Sequence, residues 1–288
     1  MTVAAIELNH LHKRQGDFVL GPLTLDVPRG VVSALIGPNG AGKTTTLDLL
    51  MGMGQADGGQ IRILGRDLAD HEVEIKRRTA YVGPEVSYQA WGTVGRAIDF
   101  VSGFYPDWDA ARCERLVQEF GLKRGEKVSA LSFGAKVKLA LVMALAREAE
   151  LMLLDEPTTG LDVGSRRELF AELLAFMKRE DRTILISSHQ LTDLERFADH
   201  YIIIDKGRLI AQGPMDALVD RYQQLDARLQ REPPRLEGLR LLERQGDRAR
   251  FLLDREVAGR LDLAAAGIEV IGEMPLTLEE LYLALVQK

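Results

Sequence analysis

The sequence contains one cysteine, Cys113, in 288 residues. A single thiol forms no intramolecular disulfide, so a disulfide-stapled scaffold is excluded and a reducing compartment is expected. Long hydrophobic runs are also missing. The longest, Val31 to Gly37 and Leu139 to Ala146, fall far short of the roughly 20 residues that a membrane-spanning helix needs. Any membrane work therefore requires another chain to do the spanning. The first seven residues, Met1 to Glu7, lack a basic stretch followed by an apolar core, so no export signal is read there and the chain is expected to stay inside the cell. Nor is there an excess of positive charge. With 37 Lys and Arg against 43 Asp and Glu, the net charge is -6, which argues against wrapping nucleic acid by bulk electrostatics. What remains is ordinary for a globular protein: 46% hydrophobic and 28% charged residues, in a length that suits one large α/β domain or a main domain of about 200 residues with a small appendage.

Leu23 to Val27 alternates apolar and polar, then Pro28-Arg29-Gly30 turns the chain, which predicts a strand and a tight turn. Val31 to Ile36 is almost wholly apolar and predicts a buried central strand. It runs into Gly37-Pro38-Asn39-Gly40-Ala41-Gly42-Lys43-Thr44, a full match to the phosphate-loop pattern G-x-x-x-x-G-K-[ST], followed by a helical stretch to Met51. The strand, loop and helix context that such a loop requires is therefore present. Ala56 to Gly59 predicts a turn into an edge strand over Gln60 to Leu64.

The aromatics are few, 17 in all, and unevenly spread. Tyr81, Tyr88, Trp91, Phe100, Phe104, Tyr105, Trp108 and Phe120 fall in one stretch. Two readings stand: a helical insertion presenting apolar surface to a partner, or simply the aromatic core of that insertion. Leu151 to Leu154 and Thr183 to Ser187 predict two more buried strands flanking an amphipathic helix, hence a parallel sheet. Asp205-Lys206-Gly207 has hairpin turn chemistry. Beyond Gly213, the pattern predicts a charged helix over Met215 to Arg231, strands over Arg248 to Leu253 and Ile268 to Ile271, a helix over Glu256 to Ala265, and a capping box at Thr277 to Glu280 opening a final helix. Residues 1–214 are thus expected to form one domain and 215–288 a compact accessory domain.

The phosphate loop directs backbone amides and a helix N-terminus at nucleotide phosphates. Lys43 is placed to reach the β and γ phosphates, and Thr44 to offer its hydroxyl to Mg²⁺; Thr45 follows in the same turn. Asp155, ending an apolar strand, is a metal-holding candidate, and Glu156 a candidate for the attacking water.

Together with Leu131-Ser132-Phe133-Gly134, Gly160-Leu161-Asp162 and His189, these segments resemble the ATP-binding subunits of ABC transporters over about Ile6 to Gly213. The resemblance implies an α/β P-loop NTPase fold, with a parallel-sheet core, an antiparallel edge sheet and a helical signature subdomain at about 85–150. It also implies ATP hydrolysis with Mg²⁺ and a head-to-tail dimer with a second copy or a related ATPase subunit. Ser132 and Gly134 would then reach the neighbour's γ-phosphate, Asp162 would cross the interface, Glu156 would be the general base, and His189 would position the γ-phosphate. A separate transmembrane permease, docked on the aromatic insertion, would hold the chain to the inner face of the cell membrane. The segment from Tyr81 to Asp109 resembles a branch of bacterial exporters and regulators related to antibiotic-resistance pumps.

Three positions depart from the family pattern. Gln15 stands where an adenine-stacking aromatic is expected, leaving Phe18 as the candidate replacement. Gly83-Pro84-Glu85 stands where a glutamine is expected, making Glu85 a candidate for approaching the metal through water. Phe133 and Ala135 replace residues of the usual Gly-Gly-Gln signature. Two rival readings are a soluble ABC-type ATPase acting as a mechanical switch, which commonly carries two cassettes or long coiled coils, and a P-loop kinase or GTPase, which would lack the Leu131 to Gly134 segment. The C-terminal residues leave dimerisation and regulation equally open.

Overall fold

The computed structural model describes residues 4–83, 89–179, 181–188, 191–233, 235–259 and 261–286. They divide into two compact units, Met1–Gln190 with His200–Gln212, and Leu191–Asp199 with Gly213–Lys288.

The first unit begins with β1 (Ala4–Gln15) and β2 (Phe18–Pro28), an antiparallel pair. Leu23, Leu25 and Val27 of β2 are buried while Thr24 and Asp26 between them are exposed, the period-two pattern of a strand with one covered face. Then come β3 (Val32–Ile36) and α1 (Lys43–Leu50), followed by β4 (Gly58–Ile63), the two-residue β5 (Arg66–Asp67) and α2 (Leu68–Arg78). The sheet order β2-β1-β4-β5 makes β4 an inner strand, not the edge strand its sequence suggested, because β5 pairs along its outer side.

The chain continues through β6 (Thr79–Val82) into a helical stretch of α3 (Val94–Ser102), α4 (Ala110–Glu119) and α5 (Phe133–Leu145). Three helices start on side-chain caps: Thr93 on α3, Asp109 on α4 and Ser132 on α5. Next are β7 (Leu151–Asp155), α6 (Val163–Phe176) and β8 (Thr183–Ser188). After α7 (Leu191–Glu195), which belongs to the second unit, β9 (His200–Asp205) and β10 (Arg208–Pro214) complete a six-stranded sheet of order β10-β9-β3-β8-β7-β6. β3 lies parallel to both β8 and β9, and β7 is parallel to β6 and β8. Every residue of β3, β7 and β8 is buried, as expected for strands covered on both faces. The β9–β10 hairpin turns at Lys206 and Gly207, both at positive φ (46° and 75°).

The aromatic stretch is part core and part exposed surface. Phe120 is buried in the insertion's core, whereas Trp91, Phe100 and Phe104 pack in a row, the first pair tilted and the second edge-to-face, with ring centroids 4.9 and 5.1 Å apart. Phe100 remains 49% and Phe104 62% exposed. Tyr88 lies outside the described residues.

The second unit differs from its sequence reading. The helix expected over Met215 to Arg231 stops after α8 (Met215–Arg221) and becomes β11 (Tyr222–Leu229). Leu225, Ala227 and Leu229 sit at period two, and burying them between β13 (Arg248–Asp254) and β14 (Ile268–Pro275) outweighs the local helical bias. β12 (Leu239–Gln245), unseen in the sequence, completes the antiparallel sheet β12-β13-β11-β14. The helix expected over Glu256 to Ala265 shrinks to α9 (Arg255–Ala258), ended by Gly259 at φ 54°. The closing helix α10 (Leu278–Val286) opens on the expected capping box: Thr277 N–H donates to Glu280 Oε2 at 2.9 Å, and Glu280 N–H donates back to Thr277 Oγ1 at 3.2 Å.

Cys113 is buried in α4, and that burial pushes its thiol up to about 11. Iodoacetamide labelling of the native protein at pH 8 is expected to be about 100-fold slower than labelling in urea, since both thiolate fraction and access are reduced. Equal rates would place the side chain at the surface.

Candidate phosphate-loop site

β3, inserted between β8 and β9, ends at Ile36 and releases the glycine loop onto the N-terminus of α1. Gly42 closes the loop at φ 106°, and a Cβ there would stand 2.6 Å from Leu20 Cδ1, so only glycine fits. The loop is tied internally and from outside: Ala41 N–H donates to Pro38 O at 3.1 Å, and Gly207 N–H donates to Ala41 O at 2.9 Å. Thr46 Oγ donates to Gly42 O at 2.8 Å, further tying the loop to the helix. The first amides of α1 have no helical carbonyl to meet and are available to an anion.

Lys43, 6% exposed, donates to Gly37 O at 2.8 Å and Pro38 O at 3.3 Å, and lies 3.3 Å from Glu156 Oε1. Thr44 Oγ1 donates to Asp155 Oδ2 at 2.6 Å. Asp155 is 2% exposed, and Ser187 Oγ donates to its Oδ1. Both oxygens are therefore held by hydroxyls arriving from different elements, α1 and β8. The register that pairs Asp155 with Ser187 makes this possible.

Glu156 follows immediately but faces elsewhere. Its φ of 51° lies in the left-handed region, costly for a residue with a Cβ. Its N–H is shared between Ser187 O at 3.2 Å and Ser187 Oγ at 3.0 Å. The divergence of the two carboxylates thus comes from this kink at the end of β7, and not from strand alternation.

A cavity of about 400 Å³ opens over the loop, lined by Pro38, Asn39, Gly40, Gly42, Lys43, Thr44, Thr45 and Glu156, with Gln15 and Phe18 at its border. Its size suits a nucleotide-sized ligand. Phe18 packs against the backbone of Gly42, its Cζ 3.1 Å from where a Cβ would lie. Gln15 is exposed on the same border. Tyr81, on β6, donates to Asp48 Oδ1 at 3.3 Å, and its hydroxyl is pushed well above its usual range, first by burial and then by Asp48 and Asp155.

Among the described residues, no group of three or more His, Cys, Asp or Glu is placed to hold a metal. One hydroxyl and one carboxylate, Thr44 and Asp155, instead fit Mg²⁺, a cation usually bound by one or two carboxylates together with phosphates and water. Ser132, Gly134 and Asp162 do not line the loop cavity. Ser132 is exposed and caps α5, accepting from Ala135 N–H at 3.2 Å. Asp162 caps α6, accepting from Ser165 N–H at 2.9 Å and Ser165 Oγ at 2.7 Å, bonds that hold its carboxyl below the usual range. His189 and Glu85 lie outside the described residues. Ser187 was missed in the sequence; its signal was a hydroxyl ending an apolar strand beside the position of Asp155.

A family model described as "ABC transporter" matches residues 20–159. The chain is 36% identical over 227 residues to "Nod factor export ATP-binding protein I" of Burkholderia lata, covering 76% of this chain and 74% of that protein. It is 28% identical over 284 residues to "ABC transporter ATP-binding protein YtrB" of Bacillus subtilis, covering 97% of each. Among solved structures it is similar to an ATP-binding subunit of an ABC transporter, with a TM-score of 0.67 and 31% identity over 75% of this chain and 92% of that one. It shares its fold with a dimeric ATP-binding cassette in a post-hydrolysis state bound to ADP and Pi, at a TM-score of 0.65 and 19% identity over 73% of this chain and 98% of that one.

Replacing Ser187 by alanine takes the donor from a buried carboxylate oxygen. The expected cost is about 1–3 kcal/mol, read as a lower urea midpoint at unchanged slope. An unchanged midpoint would show that the hydroxyl contributes nothing to holding Asp155.

Proposed function

The chain belongs to the ABC transporter family as an ATP-binding subunit, an ATPase whose hydrolysis is coupled to transport, and from that premise we propose that it dimerises on ATP and drives a separate membrane-spanning permease, most simply an exporter. The observation that carries the site assignment is the Thr44–Asp155 hydrogen bond at 2.6 Å, with Glu156 held 3.3 Å from Lys43 beside it. It joins the phosphate loop, the end of β7 and the candidate base in one place.

In this reading the loop from Gly37 to Thr45 and the N-terminus of α1 cradle the phosphates. Lys43 exchanges its bonds to the carbonyls of Gly37 and Pro38 for bonds to phosphate oxygens. Thr44 and Asp155 hold Mg²⁺, which when bound neutralises charge on the phosphates. Glu156, aimed across the loop cavity by its backbone kink, takes the proton from the attacking water. Phe18 and Gln15 border the base end of the nucleotide. Ser132 and Gly134, neither of which lines its own chain's loop cavity, act on the nucleotide of the neighbouring subunit, and Asp162 crosses the interface beside them. His189 positions the γ-phosphate.

The row of half-buried Trp91 with exposed Phe100 and Phe104 is the surface offered to the permease. No helix among the described residues is long and apolar enough to cross a membrane, so attachment to the inner face of the cell membrane would come through that partner.

Glu156→Gln tests the first half. Turnover is expected to fall about 10²- to 10⁴-fold, the usual worth of a general base. ATP with Mg²⁺ should shift the variant from monomer to dimer in sedimentation velocity. A wild-type rate would remove Glu156 from the role of base, and a strictly monomeric ATP complex would favour the P-loop kinase reading.

The docking surface is tested by combining Trp91→Ala, Phe100→Ala and Phe104→Ala. The triple variant should keep soluble ATP binding and lose co-purification with its permease. Retained co-purification would place docking elsewhere.

A further inference from the structure

The signature segment and the turn after Glu156 meet at two glycines, Gly134 and Gly160, with no room for a side chain on either. A Cβ built on Gly134 would stand 2.6 Å from the carbonyl oxygen of Gly160, and one built on Gly160 (φ 75°) would stand 2.6 Å from Phe133 Cδ1 and 3.1 Å from its Cε1. The Phe133 ring therefore covers Gly160, while Gly134 lies against that residue's carbonyl. Two bonds shorten the path from Gly160 back to Glu156: Thr159 N–H donates to Glu156 O at 3.1 Å, and Leu161 N–H donates to Thr158 O at 3.2 Å. Phe133 also reaches the hydrolytic side directly. With Asn39, Val137, Glu156, Pro157 and Thr159 it lines a second cavity, of about 260 Å³, beside Asp155. Even so, the ring is 49% exposed.

We propose that Phe133 is a positioning residue that makes hydrolysis in its own chain depend on the nucleotide its flanking residues touch in the partner. The inference rests on the dimer reading, in which Ser132 and Gly134 contact the other subunit's ATP. A ring already against Gly160, with no room for one more carbon between them, cannot advance on that residue without displacing it. A displacement of Ser132 and Gly134 on engaging ATP pushes Phe133 on Gly160, and the two tied turns carry it to Glu156. The backbone of Glu156 already sits in a strained conformation, so a small change in its angle redirects the carboxylate. Glycine at position 133 would leave Gly160 uncovered and the link slack.

The test uses the full chain with ATP and Mg²⁺, comparing wild type, Phe133→Ala and Phe133→Leu. Wild-type turnover against ATP concentration should give a Hill coefficient above about 1 and approaching about 2, the number of sites. Phe133→Ala should lower it to about 1 and cut turnover at saturating ATP about tenfold, the scale of a misplaced catalytic group. Phe133→Leu, which retains apolar bulk over Gly160, should restore both. In the Glu156→Gln background, Phe133→Ala should dimerise at the same ATP concentration as Glu156→Gln alone.

A Hill coefficient of about 1 in the wild type, or values unmoved by Phe133→Ala, would overturn the proposal. So would loss of the Glu156→Gln dimer on adding Phe133→Ala, since the ring would then be an interface contact. If Glu156→Gln alone stays monomeric, the dimer reading itself has failed and takes this inference with it. Should the alanine variant not fold, Gly160→Ala displaces the ring from the other side and must lower the same Hill coefficient.

Discussion

A buried carboxylate is tolerable only when its oxygens are satisfied, and Asp155 meets that condition through two hydroxyls. The arrangement does more than neutralise a local cost. β3, β7 and β8 are buried along their whole lengths and apolar through their middles, so there sliding one past another by a residue exchanges one apolar side chain for another. Hydrophobic pattern alone specifies such a register weakly. The polar contacts at the strand ends discriminate: a one-residue slip of β8 against β7 would withdraw Ser187 from Asp155 and from the amide of Glu156. The hydroxyl from α1 then fixes where the phosphate loop sits relative to that pair. Sheet register and site geometry are the same constraint seen from two directions.

Divergence of function between adjacent acids follows from the backbone. Asp155 ends a regular strand, and its side chain is enclosed. Glu156 takes a left-handed turn that a strand residue would avoid, held there by the shared bond from its amide to Ser187. Strain of this kind persists only where neighbouring structure enforces it. The fully buried end of β8 supplies that enforcement, so Ser187 supports both acids although it is absent from the phosphate-loop motif.

What the sequence made legible was contiguous. The glycine loop, Asp155-Glu156 and the Thr277 capping box each depend on residues a few positions apart, where spacing dictates geometry. The failures share the opposite property. β11 carries charged residues, Asp226 and Arg228, that continue those of α8, and only pairing with two strands that come later in the chain reveals its period of two. β4 read as an edge because its cover is just two residues long. Ser187 lies 32 positions from Asp155, and the contact between Phe133 and Gly160 joins the first residue of α5 to the turn that follows β7. No local pattern encodes such meetings. The glycines offered a partial clue, since Gly134 and Gly160 are required by close approach and not by any helical or strand propensity.

Ser132 and Asp162 show how residues can be structural in one chain while remaining available to another. Each sits at the N-cap of a helix, α5 and α6, and uses side-chain oxygen to hold the amide of a residue three positions on. An N-cap satisfies only one or two of the four free amides of a helix start, and both caps remain exposed to solvent. The remaining amides and the positive end of the helix can therefore still meet an anion. Asp162 complicates this, because its carboxyl is held below the usual range by Ser165 and would repel phosphate at close quarters. Under the dimer reading, Ser132 with the start of α5 is consequently the part that meets the neighbour's γ-phosphate. Asp162 fixes the end of the turn that begins at Glu156, and the contacts of Phe133 and Gly134 with Gly160 join that turn to the start of α5.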